Sequence, residues 1–146
     1  MVSMQSNLEM KGKTMGLLLP DRENFDEGVF IAYQYDTMLR CELQGLLMLN
    51  SKSFEDGGNI FIPIIYKKIL SYRNGVARAI NIAGNLIYIR NDGEKLYDQE
   101  FPFIPELCED FKKNGKAKVG CLLDGEIVLR GTMNRDGDLF LKDYSE

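Results

Sequence analysis

At 146 residues, with 45% hydrophobic and 27% charged side chains, the chain is one domain's worth of sequence, apolar enough to bury a core and too apolar for a disordered polymer. It contains no histidine, which removes Ser-His-Asp and Cys-His nucleophiles, imidazole zinc sites and any general base that ordinarily titrates near neutrality. The net charge of −4 hides an asymmetry: the 35 residues from 57 to 91 hold no carboxylate and five cations, Lys67, Lys68, Arg73, Arg78 and Arg90, so the remainder holds 13 cations and 22 acids, a net −9.

Cys41, Cys108 and Cys121 are odd in number, widely spaced and set among apolar residues, and they read as reduced core thiols. No CxxC pair, phosphate-cradling glycine loop or metal-ligand cluster stands out, so neither a cofactor nor a metal is expected. Met1 to Gly12 shows no basic segment followed by an apolar run, and no stretch approaches membrane-spanning length. The reading is a soluble, cytoplasmic protein without a membrane partner.

Residues 1–12 read as a flexible leader, followed by a single β-rich domain over 13–146. Met15 to Leu19 suits a short strand stopped by Pro20-Asp21, and Asp21 to Gly28 is an acidic connection. From Val29 the pattern alternates, with Val29, Ile31, Tyr33 and Tyr35 on one face and Phe30, Ala32 and Gln34 on the other. Asp36-Thr37 is expected to turn this strand into Met38 to Leu49, where Gly45 interrupts the apolar series and suggests a bulge or bend.

Beyond a polar loop, Ile60 to Ile65 is apolar on both faces, and Pro63 points to an edge strand or a break because it lacks an N–H. From 64 to 72 a helical stripe of Ile65, Ile69 and Tyr72 competes with strand, and the β-branched density favours strand. Asn74-Gly75 is a type I′ hairpin signal leading into Val76 to Ala83, whose shallow Ala77, Ala79 and Ala83 face must lie against a sheet, a helix or a ligand. Gly84-Asn85 and Asn91-Asp92-Gly93 turn the chain into Leu86 to Arg90 and Lys95 to Phe101, a meander.

One helix is expected over about 104–114. Pro105 suits its first turn, Glu106, Glu109 and Asp110 its N-terminal half, Lys112 and Lys113 its last turn and Asn114-Gly115 its C-cap, with Phe103 or Ile104, Leu107, Cys108 and Phe111 as the apolar stripe. Two Asp-Gly turns, Asp124-Gly125 and Asp136-Gly137, then join three antiparallel strands. Asn134 to Asp138 alternates oxygen-bearing side chains like a calcium loop, but its glycine comes one position early and no closing glutamate follows, so a turn is expected. With its helix, its Asp-Gly turn and its strand carrying the central Gly131, the stretch 103–143 resembles the opening of an Sm-like small barrel. The expected fold class is therefore α+β and β-rich: an antiparallel curved sheet or partly closed small barrel built from hairpins, with one packed helix.

For function, the acid-free stretch 57–91 is the leading feature. Lys67, Lys68, Arg73, Arg78 and Arg90 accompany Tyr72 and Tyr88, and cations with aromatic faces are the combination that attracts phosphates and stacks bases. The expectation is a non-catalytic binding protein that contacts a nucleotide or nucleic acid through these seven residues. The competing reading of the same residues is a hydrophobic sheet whose tyrosines line the core and whose cations cap strand ends. An alternative function is a small protein-interaction module or inhibitor, of the kind found in phage and mobile elements, docking through an apolar face or strand edge. The alanine face and open strand edges also suggest a homo-oligomer. Lys112, Lys113, Lys116 and Lys118 read as a helix end and a solvated strand face.

Overall fold

The computed structural model describes residues 5–10, 13–48, 60–97 and 101–143. Eleven strands form among these residues, and hydrogen-bonded neighbours within a sheet are consecutive in the chain. β1 (Gln5–Met10), β2 (Lys13–Leu18), β3 (Val29–Asp36), β4 (Cys41–Met48) and β5 (Ile60–Tyr66) make an N-terminal sheet. β6 (Lys68–Arg73), β7 (Val76–Ile80) and β8 (Leu86–Arg90) make a middle sheet, and β9 (Lys116–Leu123), β10 (Ile127–Asn134) and β11 (Leu139–Asp143) a C-terminal one. β1 falls within the stretch read as leader. The loop at 49–59 and the centre of the expected 95–101 strand, residues 98–100, lie outside the described residues.

The strand periodicity of the sequence sets which faces meet. In the N-terminal sheet Val29, Ile31, Leu46, Ile62 and Tyr66 project toward Ile69, Tyr72, Ala77, Ala79, Ile87 and Ile89 of the middle sheet, and together they form one core. The opposite face of the middle sheet, with Val76, Leu86 and Tyr88, meets Ala117, Val119, Cys121 and Met133 of the C-terminal sheet in a second core that also takes Phe103, Cys108 and Phe111. The middle sheet is thus covered on both sides and the molecule is three layers deep. The shallow alanine face lies against another sheet of the same chain: Ala77 and Ala79 are fully buried, whereas Ala83 stands exposed in the 81–84 turn.

No barrel closes among the described residues, and the reason is local. At Gly45 the β4–β5 pairing shifts register, and a side chain there would overlap the backbone of Ile62 and Pro63. β5 is then the last strand of its sheet, with Pro63 exposed on it as expected of an edge. At Lys67 the chain leaves that sheet, and the Gln44 side-chain oxygen accepts the Ile69 N–H at 2.9 Å across the corner. The 64–72 region is strand on both sides of this break. Irregular segments, not further strands, cover the middle sheet's edges: Asp26 N–H and Tyr72 N–H exchange bonds with Tyr72 and Asn24 carbonyls along β6, and Leu96 N–H bonds Tyr88 along β8.

The expected helix over 104–114 is absent. Only Pro105–Leu107 turns, as a single 3₁₀ turn whose preceding residue, Ile104, offers no capping side chain. A helix this short is marginal, and the free edge of β9 offers its backbone better partners: the N–H groups of Ile104, Glu109 and Lys112 donate to the carbonyls of Gly120, Lys118 and Lys116 at 2.8, 2.8 and 3.0 Å. Asn114-Gly115 then acts as a hairpin turn into β9 instead of a helix C-cap, with Gly115 at φ +80°. The apolar stripe still faces inward, with Phe103, Cys108 and Phe111 buried. The likeness to a small-barrel opening is therefore confined to the three strands.

The hairpins follow the turn chemistry. Asn74 and Gly75 sit at φ +55° and +86°, Asp124 and Gly125 at +54° and +75°. Between β3 and β4 the turn is longer than Asp36-Thr37, because the Asp36 carboxylate accepts both the Met38 and Leu39 N–H groups at 2.9 Å and Arg40 takes φ +55°.

Candidate anion-binding face

The seven residues singled out in the sequence occupy three different places. Lys67 and Lys68 are exposed at the corner between β5 and β6. Arg73 and Arg90 lie at the opposite end of the middle sheet, in one row across it through Val76. Arg73 approaches the Asp26 carboxylate at 3.5 Å and donates to the Arg22 carbonyl, while Arg90 donates twice to the Arg135 carbonyl at 3.2 and 3.1 Å. Tyr72 and Tyr88 are interior: Tyr72 packs edge-on against Phe61, and Tyr88 edge-on against Phe103 and Phe111. Burial, and secondarily the Asp26 charge, pushes the Tyr72 phenol up from its ordinary value, and burial does the same to Tyr88.

Arg78 lies between the middle and C-terminal layers, opposite Tyr88. Its Nε donates to Asp110 Oδ1 and Ser71 Oγ at 2.8 Å each, and Nη1 donates to the Cys108 carbonyl at 2.6 Å. Ser71, fully buried, also hydrogen-bonds Asp110, and Tyr88 donates to the Glu109 carbonyl at 2.7 Å. This network ties the 101–111 segment to the sheet beneath it. Burial pushes the Cys108 thiol up and the Cys121 thiol up to about 12, so neither is a thiolate nucleophile at neutral pH.

A different surface gathers cations without acids. The outer face of the C-terminal sheet presents, in register, Lys116, Lys118, Gly120 and Leu122 from β9, Val128, Arg130, Thr132 and Asn134 from β10, and Phe140 from β11. Three of these nine outward positions are cationic and none is acidic. Lys118, Arg130 and Phe140 are exposed, Phe140 to 64%. Lys118, Thr132 and Phe140 form one row across the strands; Gly120 and Arg130 pair in the next. The carboxylates stand around this face, with Asp124 and Glu126 at the β9–β10 turn and Asp136 and Asp138 at the β10–β11 turn. Asn134 closes the second turn, its side-chain oxygen accepting the N–H groups of Asp136 and Asp138 at 2.9 and 3.0 Å. Sequence reading noticed the lysines of β9 but missed Arg130 and Phe140. The available signal was phase: Phe140 stands between Leu139 and Leu141, where the alternation calls for a polar residue.

Clefts also open elsewhere among the described residues. One, at the end of the middle sheet, mixes Glu23, Arg73, Asn74, Glu109, Asp110 and Lys112. Another lies beside the β3–β4 hairpin, lined by Tyr35, Met38, Leu43 and Ile64. Among the described residues no group of acids and thiols is placed to hold a metal ion, and no helix is long and apolar enough to cross a membrane. No family model, curated protein or solved structure matches the chain.

Proposed function

We propose that this is a non-catalytic binding protein whose partner carries phosphates, and that the contact is centred on the outer face of the C-terminal sheet. The observation that carries this reading is the segregation of charge: outward strand positions with cations at three of nine and acids at none, on a protein of net charge −4. Lys67 and Lys68, exposed at their corner, are a second place where the acid-free stretch 57–91 can meet the same partner. The interior positions of Tyr72, Tyr88 and Arg78 weigh against stacking or phosphate contact by those three. A mixed DNA and RNA pool titrated against the protein tests the reading. Binding that weakens steeply with salt, and is lost in Lys118→Glu/Arg130→Glu, is expected; affinity that ignores salt and both reversals overturns it.

One observation favours a second reading, docking on another protein. Met38 is 92% and Tyr35 61% exposed at the β3–β4 hairpin, where they share a cleft with Ile64 of β5. That reading predicts salt-tolerant binding to a partner, abolished by Met38→Glu.

A further inference from the structure

We infer that the phosphate-bearing partner is single-stranded nucleic acid, held across the β9–β11 face with a base stacked on Phe140. The inference rests on the function proposed above and adds the ligand's form and the residue that reads it. Phe140 is a large ring, 64% exposed, on the edge strand β11 beside the cations of β9 and β10 instead of in a core. Its diagonal neighbour is Arg130, on the adjacent strand, and its row ends in Lys118. Diagonal neighbours lie roughly 7–8 Å apart, within reach of a long side chain. Lys118, two strands away from Phe140, is about 10 Å distant by strand spacing.

Cations at those separations flank one aromatic platform, the arrangement that holds a sugar–phosphate backbone while a base lies on the ring. A duplex fits poorly, because its bases are already stacked and paired and offer the ring no face. A free nucleotide fits poorly too, because an exposed sheet face does not surround a small ligand.

The acids fix the direction. With Asp124 and Glu126 at one end of the strands and Asp136 and Asp138 at the other, a polyanion running along the strands would meet carboxylates at both ends. The path that crosses the strands runs through the Lys118–Thr132–Phe140 row and Arg130, and it ends at β9, short of Glu106 and Glu109 on the segment bonded to the β9 edge. Three strands are wide enough for roughly two or three bases, as on other open sheets that stack bases. Leu107 packs over Gly120 and covers the β9 end of the second row, so the first row, Lys118–Thr132–Phe140, is the open one.

The test is fluorescence anisotropy with labelled oligo(dT), oligo(U) and a hairpin duplex, on the full chain and on Phe140→Ala, Phe140→Tyr and Lys118→Glu/Arg130→Glu. Expected are preference for single strands over duplex and about a tenfold loss in Phe140→Ala at unchanged salt slope. Phe140→Tyr should keep the affinity, and each reversed cation should lower the slope of log K against log salt by about 0.7. Equal binding of duplex and single strand with no effect of Phe140→Ala would overturn the single-strand inference and leave the phosphate reading standing. Failure of every nucleic acid to bind, or equal binding of polyglutamate, would overturn both. All three variants lie on an exposed face, so circular dichroism matching the parent is expected and separates lost binding from lost fold.

Discussion

Arg78 shows how far a residue's type can stand from its role. Its charge placed it in the sequence among the ligand contacts, but its partners Asp110 and Ser71 are 32 and 7 positions away, and nothing local announces them. The pair is largely shielded, with side-chain exposures of 16% and 23%, and every donor on Arg78 that the fold engages ends on an oxygen. Removing one partner leaves the other's charge desolvated without compensation. Asp110→Ala is therefore expected to lower stability by about 2–4 kcal/mol, read from the urea midpoint at constant slope, while Lys118→Ala on the open face changes it by less than about 0.5 kcal/mol. Tyr72 and Tyr88 illustrate the same point: an aromatic beside a cation in sequence is a stacking platform only if the register turns it outward, and in both cases it turns inward.

At the scale of elements, the hairpins were legible because their chemistry is local. Asn74-Gly75, Asp124-Gly125 and Asp136-Gly137 each place residues that tolerate positive φ between alternating strands, and all three turns form. The 104–114 segment was misread because its signals have two meanings. Asn-Gly serves a helix C-cap and a hairpin equally well, and spacings of three and four bury Phe103, Cys108 and Phe111 whether the backbone coils or runs irregularly beside a strand. What decided the outcome was a long-range competitor, the β9 edge, which no single segment of sequence reveals. The far-ultraviolet circular dichroism spectrum is accordingly expected to lack the paired helical minima; a spectrum with a helix of ten or so residues would contradict this fold.

For the whole molecule, β-richness and antiparallel order were readable from period and turns, but the stacking of three sheets was not, because it depends on a corner at Lys67 and a bulge at Gly45 whose effects are geometric. The burial that results shows in the alkaline range. Burial pushes Tyr97 up to about 12, ahead of smaller contributions from Cys121 and Asp138, and raises Tyr66, Tyr72 and Tyr88 as well. A group whose folded value lies above its unfolded one holds its proton more tightly in the native state, so its contribution is complete below the unfolded value and is lost as pH rises through the folded one. Stability should hold steady up to about pH 9, where unfolded thiols begin to ionise, and then fall toward pH 12. A spectrophotometric titration should show Tyr66, Tyr72, Tyr88 and Tyr97 ionising above pH 10, together, as the fold opens.

The order of layers also has a consequence for how the protein is made. Each sheet is one uninterrupted length of chain, so on the ribosome the N-terminal and middle layers can close on each other as soon as β8 emerges, before the C-terminal sheet has left the ribosome. During that interval Val76, Leu86 and Tyr88 form a bare apolar surface, and Arg78 waits for an Asp110 that has not yet left the ribosome. The nascent chain thus passes through a two-layered stage with a sticky face, and the arrival of the third layer both hides that face and ends its exposure to chaperones.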